Sequence, residues 1–162
     1  IKQCDFIQMT SADDFIKGYD DVCKKSDRGG LTITHKEQRA YYNPTTDKIN
    51  MPKQDTFKDS DSYYKTLFHE CTHHAGGPKG LNDENITSGS FGNESYSKEE
   101  AVAELGSLFL CAELGLEPKD SEENSQAYIN GWVKKISNAP EWILSASKKA
   151  NQRIDYMRFG KK

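Results

Sequence analysis

Five residues near the middle of the chain, His69-Glu70-Cys71-Thr72-His73, constrain it more than any other segment. Two histidines four positions apart share one face of a helix, with Cβ atoms ~5–6 Å apart. One metal ion can then meet both imidazoles at ~2.0–2.1 Å. Glu70 borders the same face and can reach a water beside such an ion without ligating it. The pattern is two ligands plus one carboxylate placed as general base. The chain's own composition would produce it by chance roughly 0.007 times, so a coincidental pair of surface histidines explains it poorly. The pattern works only on a helix, and its flanks supply one. Asp59-Ser60-Asp61 mark a start, and Tyr64, Leu67, Phe68, Cys71 and Ala75 fall on one face, which predicts a helix to about Ala75.

A zinc ion needs a third protein ligand and an open position. The next predicted helix offers Glu99, Glu100 and Glu104, of which Glu100 and Glu104 share a face. Ser97-Lys98-Glu99-Glu100 also reads as a capping box, with Glu100 bonded to the Ser97 amide and Glu104 left as the better ligand. Spacing alone keeps both readings open. The run Glu100-Ala101-Val102-Ala103-Glu104 resembles thermolysin-like zincins, where a Glu on a second helix is the third ligand and an acidic residue four positions on orients a metal-binding histidine. That resemblance implies Glu100 as ligand and Glu104 as the orienting carboxylate. His74 points about 100° away from His73 around the helix and reads as solvated. His35 ends a strand and reads as a structural histidine.

Around this segment the chain has the size of one domain, at 162 residues. Residues 1–10 read as a connector. Ser11, with Asp14 three positions on, reads as the start of a helix carrying Phe15, Ile16, Tyr19 and Val22. Leu31 to His35 reads as a strand. Ala40-Tyr41-Tyr42 and Lys48-Ile49-Asn50-Met51 flank a turn-rich tip and predict a hairpin, closed by Pro52. A long loop from about Gly76 to Tyr96 carries five glycines and reads as a lid. Helices follow from Ser97 to Gly115, from about Asn124 to Ser137, and from Asn138 onward. The expected fold class is α+β, a small antiparallel sheet of about three strands packed with about five helices.

The charge balance is 22 basic against 25 acidic residues, a net of −3, which gives no electrostatic case for a nucleic-acid surface in this segment. No apolar run approaches the ~20 residues of a membrane span. Four cysteines at wide, irregular spacing read as reduced thiols of a cytoplasmic protein, with a Cys4–Cys23 bridge the one open alternative.

Several runs together resemble a known family. They are Arg39-Ala40-Tyr41-Tyr42-Asn43-Pro44, Ile49-Asn50-Met51-Pro52, Tyr63-Tyr64 with Thr66-Leu67 leading into the histidine motif, Glu99 to Gly106, Ala127-Tyr128-Ile129 and Trp132. They are similar to the zincin-like C-terminal domain of ArdC-type antirestriction proteins, also found in phage polyvalent proteins. The chain departs at His74, where that family usually has Trp. The resemblance covers residue 12 or so to the end and implies a zincin-like metallopeptidase domain over 11–162. It also implies a Zn2+ ion on His69, His73 and Glu100, with Glu70 as general base against a peptide or protein substrate. Residues 1–10 would then connect to a preceding domain that binds single-stranded DNA. The alternative is a metal-stabilised domain that cleaves nothing and supports DNA protection.

Overall fold

The computed structural model describes residues 1–88, 94–119, 126–127, 130–131, 134 and 139–161. Helix α1 (Thr10–Lys24) is followed by three short strands, β1 (Thr32–Thr34), β2 (Tyr41–Asn43) and β3 (Lys48–Asn50). A single 3-10 turn (Gln54–Thr56) leads to α2 (Ser60–Gly76), then α3 (Glu84–Ser88), α4 (Glu94–Leu114) and α5 (Ala139–Phe159). Gln126, Ala127, Asn130, Gly131 and Lys134 are also helical, and the rest of the helix expected over 124–137 lies outside the described residues, as does Asn138. The α+β class holds.

The sheet is mixed rather than antiparallel. Its order is β1-β3-β2, with β1 parallel to β3 and β2 antiparallel to it. Asn50 explains the departure. Its buried side-chain amide donates to Glu37 O (2.9 Å) and Arg39 O (2.8 Å), and its Oδ1 accepts from Lys36 N (2.9 Å) and Thr34 Oγ1 (2.9 Å). The 35–40 connection is thereby folded over the end of β3, and β2 lands on the far side of β3 from β1. Every polar atom of the Asn50 side chain finds a partner there, as a buried amide must.

Helix α2 starts where expected, with Asp59 accepting a hydrogen bond from Ser62 N at 2.8 Å. Tyr64, Leu67, Phe68, Cys71 and Ala75 are all buried, with Ile49 of β3 and Met51 just after it in the same core. Burying a Leu or Phe contributes roughly 1.5–3 kcal/mol, so this stripe fixes how α2 is rotated. Helix α4 packs along α2 and α5. At their crossing Gly106 lets the backbones approach: a Cβ there would stand 2.7 Å from Thr72 Oγ1. The register so set brings the Glu99–Glu104 turns of α4 beside His69 and His73.

Two expected starts move. Ser11 does not cap α1, whose N-cap is Met9, and its hydroxyl donates to Leu114 O instead. Helix α4 opens at Glu94, so Ser97 lies buried inside it and no capping box forms. The glycine-rich loop is fastened over its described half. Leu81 N and Asp83 N donate to Ala75 O and Gly76 O, both at 2.9 Å, and α3 follows. All four cysteines are free thiols.

Candidate metal centre

His69 and His73 stand one turn apart on α2, their ring centroids 4.9 Å apart. Across from them the Glu100 carboxylate of α4 spans both rings. Glu100 Oε2 lies 3.2 Å from His69 Nε2, and Oε1 lies 2.9 Å from His73 Nε2. One donor atom from each of the three residues lies within 4.8 Å of the other two. Donors held ~2.1 Å from one tetrahedral ion stand ~3.4 Å apart, so two imidazole nitrogens and a carboxylate in this arrangement fit a divalent cation in chemistry and in spacing. Among the described residues this is the one His/Cys/Asp/Glu group so arranged.

The outer nitrogen of each ring has its own carboxylate. His69 Nδ1 meets Glu104 Oε2 at 3.1 Å, and Lys65 Nζ holds the other Glu104 oxygen at 3.2 Å. His73 Nδ1 meets Glu99 Oε2 at 2.6 Å. A carboxylate on Nδ1 fixes ring orientation and keeps Nε2 as the metal-facing atom. Glu104 therefore sits where an orienting carboxylate is expected, on His69. Glu99 was one of three candidate carboxylates in the sequence, and its place behind His73 emerges only from the register of α4 on α2.

Without an ion the cluster is an ion-pair network. Burial opposes a charge on His69, yet hydrogen bonds to Glu100 and Glu104 overcome it and raise the ring to about 9. His73 is driven up against burial in the same way by Glu100 and Glu99. Burial pushes Glu100 up, and the two histidines reverse this and leave it well below the usual carboxylate range.

Glu70 is buried and lines a cleft of about 340 Å³ with Ala40, Lys65, Thr66, His69, Glu100 and Glu104. It faces the space beside the histidines, as its place in the motif requires. Ala40 leads directly into β2, an edge of the sheet. The sequence suggests instead that the strand ending at Met51-Pro52 presents an edge to substrate. That strand, β3, is flanked on both sides, so the edge beside the cleft is β2.

His74 is not solvated. It is fully buried on the adjoining face of α2, about 100° round from His73, with Tyr19 OH on its Nδ1 and the Tyr19 and Tyr42 rings edge-on against it. Burial, with Arg28 nearby, pushes it down to about 3. Arg28 closes this pocket by a two-pronged bond to Asp47 at 2.8 and 3.0 Å. Asp47 has φ +58°, a left-handed turn conformation that Asp tolerates better than most residues. His35 stacks on Tyr63, with Nε2 3.1 Å from its hydroxyl, and takes no part in the cluster.

The model of the zincin-like metallopeptidase family matches residues 20–149. The protein y4eC of Sinorhizobium fredii is 38% identical over 128 residues, 79% of this chain and 41% of that protein. The DNA primase TraC of Escherichia coli is 37% identical over 129 residues, 79% of this chain and 12% of that protein. The chain thus spans well under half of these relatives. A crystal structure of the antirestriction protein ArdC of plasmid R388 with Mn(II) bound matches with a TM-score of 0.70 at 31% identity, covering 99% of this chain and 54% of that one. The metal-free structure of ArdC matches with a TM-score of 0.67. No described helix is long and apolar enough to cross a membrane.

Proposed function

Since the chain belongs to the zincin-like metallopeptidase family, we propose that it is a metal-dependent peptidase domain. Its ligands are His69, His73 and Glu100, and its general base is Glu70. The convergence of both Nε2 atoms on one carboxylate carries this reading. His69, His73 and Glu100 would hold a divalent ion, zinc in the first instance, which would supply Lewis-acid polarisation of the scissile carbonyl and lower the pKa of water to about 7.

The remaining work belongs to the chain. The Glu70 carboxylate takes a proton from the attacking water and delivers it to the departing amine. Glu104 and Glu99 hold the two imidazoles in the tautomer that frees Nε2. An extended peptide adds to the β2 edge, which places its backbone along the cleft that Ala40 and Glu70 line.

A second reading is a non-proteolytic domain that helps protect DNA as one part of a longer protein with a single-stranded-DNA-binding domain. The likeness to an antirestriction protein and to a DNA primase favours it. A purely structural metal fits less well, because the metal-free relative matches this chain almost as closely as the metal-bound one. The two readings part at Glu70. Glu70→Gln should keep stoichiometric metal, measured by elemental analysis, and lose all cleavage of a degenerate peptide library followed by mass spectrometry. Cleavage at the wild-type rate in that variant would sink the peptidase mechanism. No cleavage by the wild type, with DNA protection intact in Glu70→Gln, selects the second reading.

A further inference from the structure

Among the described residues Arg153 heads the largest fully buried side chains, at 1% exposure. It stands on α5, far along the chain from the histidine motif. Its guanidinium grips Glu99 with both prongs, Nη1 to Oε2 and Nη2 to Oε1, each at 2.6 Å. Nη1 also donates to Thr72 O at 3.3 Å, and Nη2 to Asp83 Oδ2 at 3.2 Å. The end of α2 leaves room for it, since a Cβ on Gly76 would stand 2.5 Å from Arg153 Cζ. The oxygen of Glu99 that accepts from Nη1 is the one that meets His73 Nδ1.

We propose that Arg153 is a positioning residue for the metal centre: it acts on His73 through Glu99, and through Asp83 it ties the segment after α2 to the same carboxylate. This rests on the reading of His69, His73 and Glu100 as metal ligands. A buried Arg–Glu pair is a poor source of stability, because apolar side chains of the same volume commonly do as well or better. What apolar side chains cannot do is accept the Nδ1–H of a ligand histidine. Glu99 does so, and a carboxylate buried that deeply needs a fixed counter-charge. The bidentate fork supplies it and also sets the plane of the carboxylate. His73 is thus aimed from α5, by a residue that touches neither the ion nor the cleft. Asp83 extends the unit. It accepts from Asn85 N at 3.1 Å in front of α3 and also pairs with Lys149 Nζ at 3.2 Å.

The test uses Co(II) as the probe, with affinity read by chelator competition and ligand geometry by the visible absorption bands. Melting of each metal-free variant reports folding separately. Arg153→Met and Glu99→Gln should each weaken Co(II) binding about 10–100-fold and shift the absorption bands. Arg153→Lys, a point charge without a fork, should recover only part of the loss. If Arg153 acts through Glu99, the double variant Arg153→Met/Glu99→Gln should bind no more weakly than the worse single. That variant removes both buried charges together, so it holds the test if Arg153→Met alone does not fold. Wild-type affinity and spectrum in the folded double variant would overturn the proposal, and so would losses that simply add. A wild type that binds no Co(II) would overturn the metal-ligand reading itself, a distinct result.

Discussion

His73 and His74 are neighbours on α2 and face opposite worlds. His73 looks across at three carboxylates of α4, directly at Glu99 and Glu100 and one ring away from Glu104. Its proton is held well above the ordinary histidine range. His74 looks into a pocket of rings closed by an arginine, and its proton is driven off. Residue type and helix are the same for both. The difference comes from what the fold packs on each face. One face holds its histidines charged among carboxylates, the other holds its histidine neutral and packs α1 and the sheet against α2.

Replacing each histidine separates these roles most sharply. His73→Ala should abolish stoichiometric metal binding, a loss of more than about 100-fold in affinity, since it removes a ligand rather than an outer partner. His74→Ala should keep affinity within about threefold, because its side chain faces away from the cluster. It should instead cost about 2–4 kcal/mol of stability by opening a cavity among Tyr19, Tyr42 and Arg28. Calorimetric metal titration and urea unfolding of both variants check this. Equal loss of metal in the two would erase the contrast. Within the metal-facing side, Glu100→Gln should lose far more affinity than Glu104→Gln, for which about 10–100-fold is expected. The reverse order would make Glu104 the ligand and Glu100 its support.

Sequence made one of these two faces legible and left the other dark. His69, Glu70 and His73 follow from spacing within one helix, and Glu100 and Glu104 from spacing within the next. Such i, i+4 relations are local and survive any tertiary arrangement. What covers the far side of α2 is not local. Tyr19 and Arg28 come from α1 and the glycine turn after it, Tyr42 from β2 and Asp47 from the hairpin tip. The angle around the helix placed His74 correctly, but solvent was the wrong occupant of that side. Arg153 was invisible for the same reason, since nothing in its own segment marks it as facing Glu99. The sheet was half legible. The β2–β3 hairpin carried its turn residues, whereas the parallel β1–β3 pairing depends on how Asn50 gathers the 35–40 connection. The helix expected over 124–137 falls mostly outside the described residues.

The contrast also has a pH signature in the metal-free protein. His69 is raised to about 9 in the folded state from an ordinary 6.5, so the fold holds that proton more tightly than the unfolded chain does. Its contribution to stability is full below about pH 6.5 and is lost as pH rises through about 9. His74 runs the other way. Its folded value, near 3, lies below 6.5, so its contribution is full above about pH 6.5 and is lost as pH falls toward about 3. Metal-free protein should therefore show a urea midpoint that falls on both sides of about pH 6.5. His69→Ala should make the alkaline fall shallower, leaving the share of His73, which is raised as well, and His74→Ala should flatten the acid side, leaving there only the slope due to buried carboxylates such as Glu99 and Asp47. Saturating metal should remove the histidine share of the alkaline fall, between about pH 6.5 and 9, because bound imidazoles no longer carry the proton whose loss drives it. An alkaline slope identical in wild type and His69→Ala would show that the carboxylate face does not hold its histidines charged, and the opposition between the two sides of α2 would then rest on packing alone.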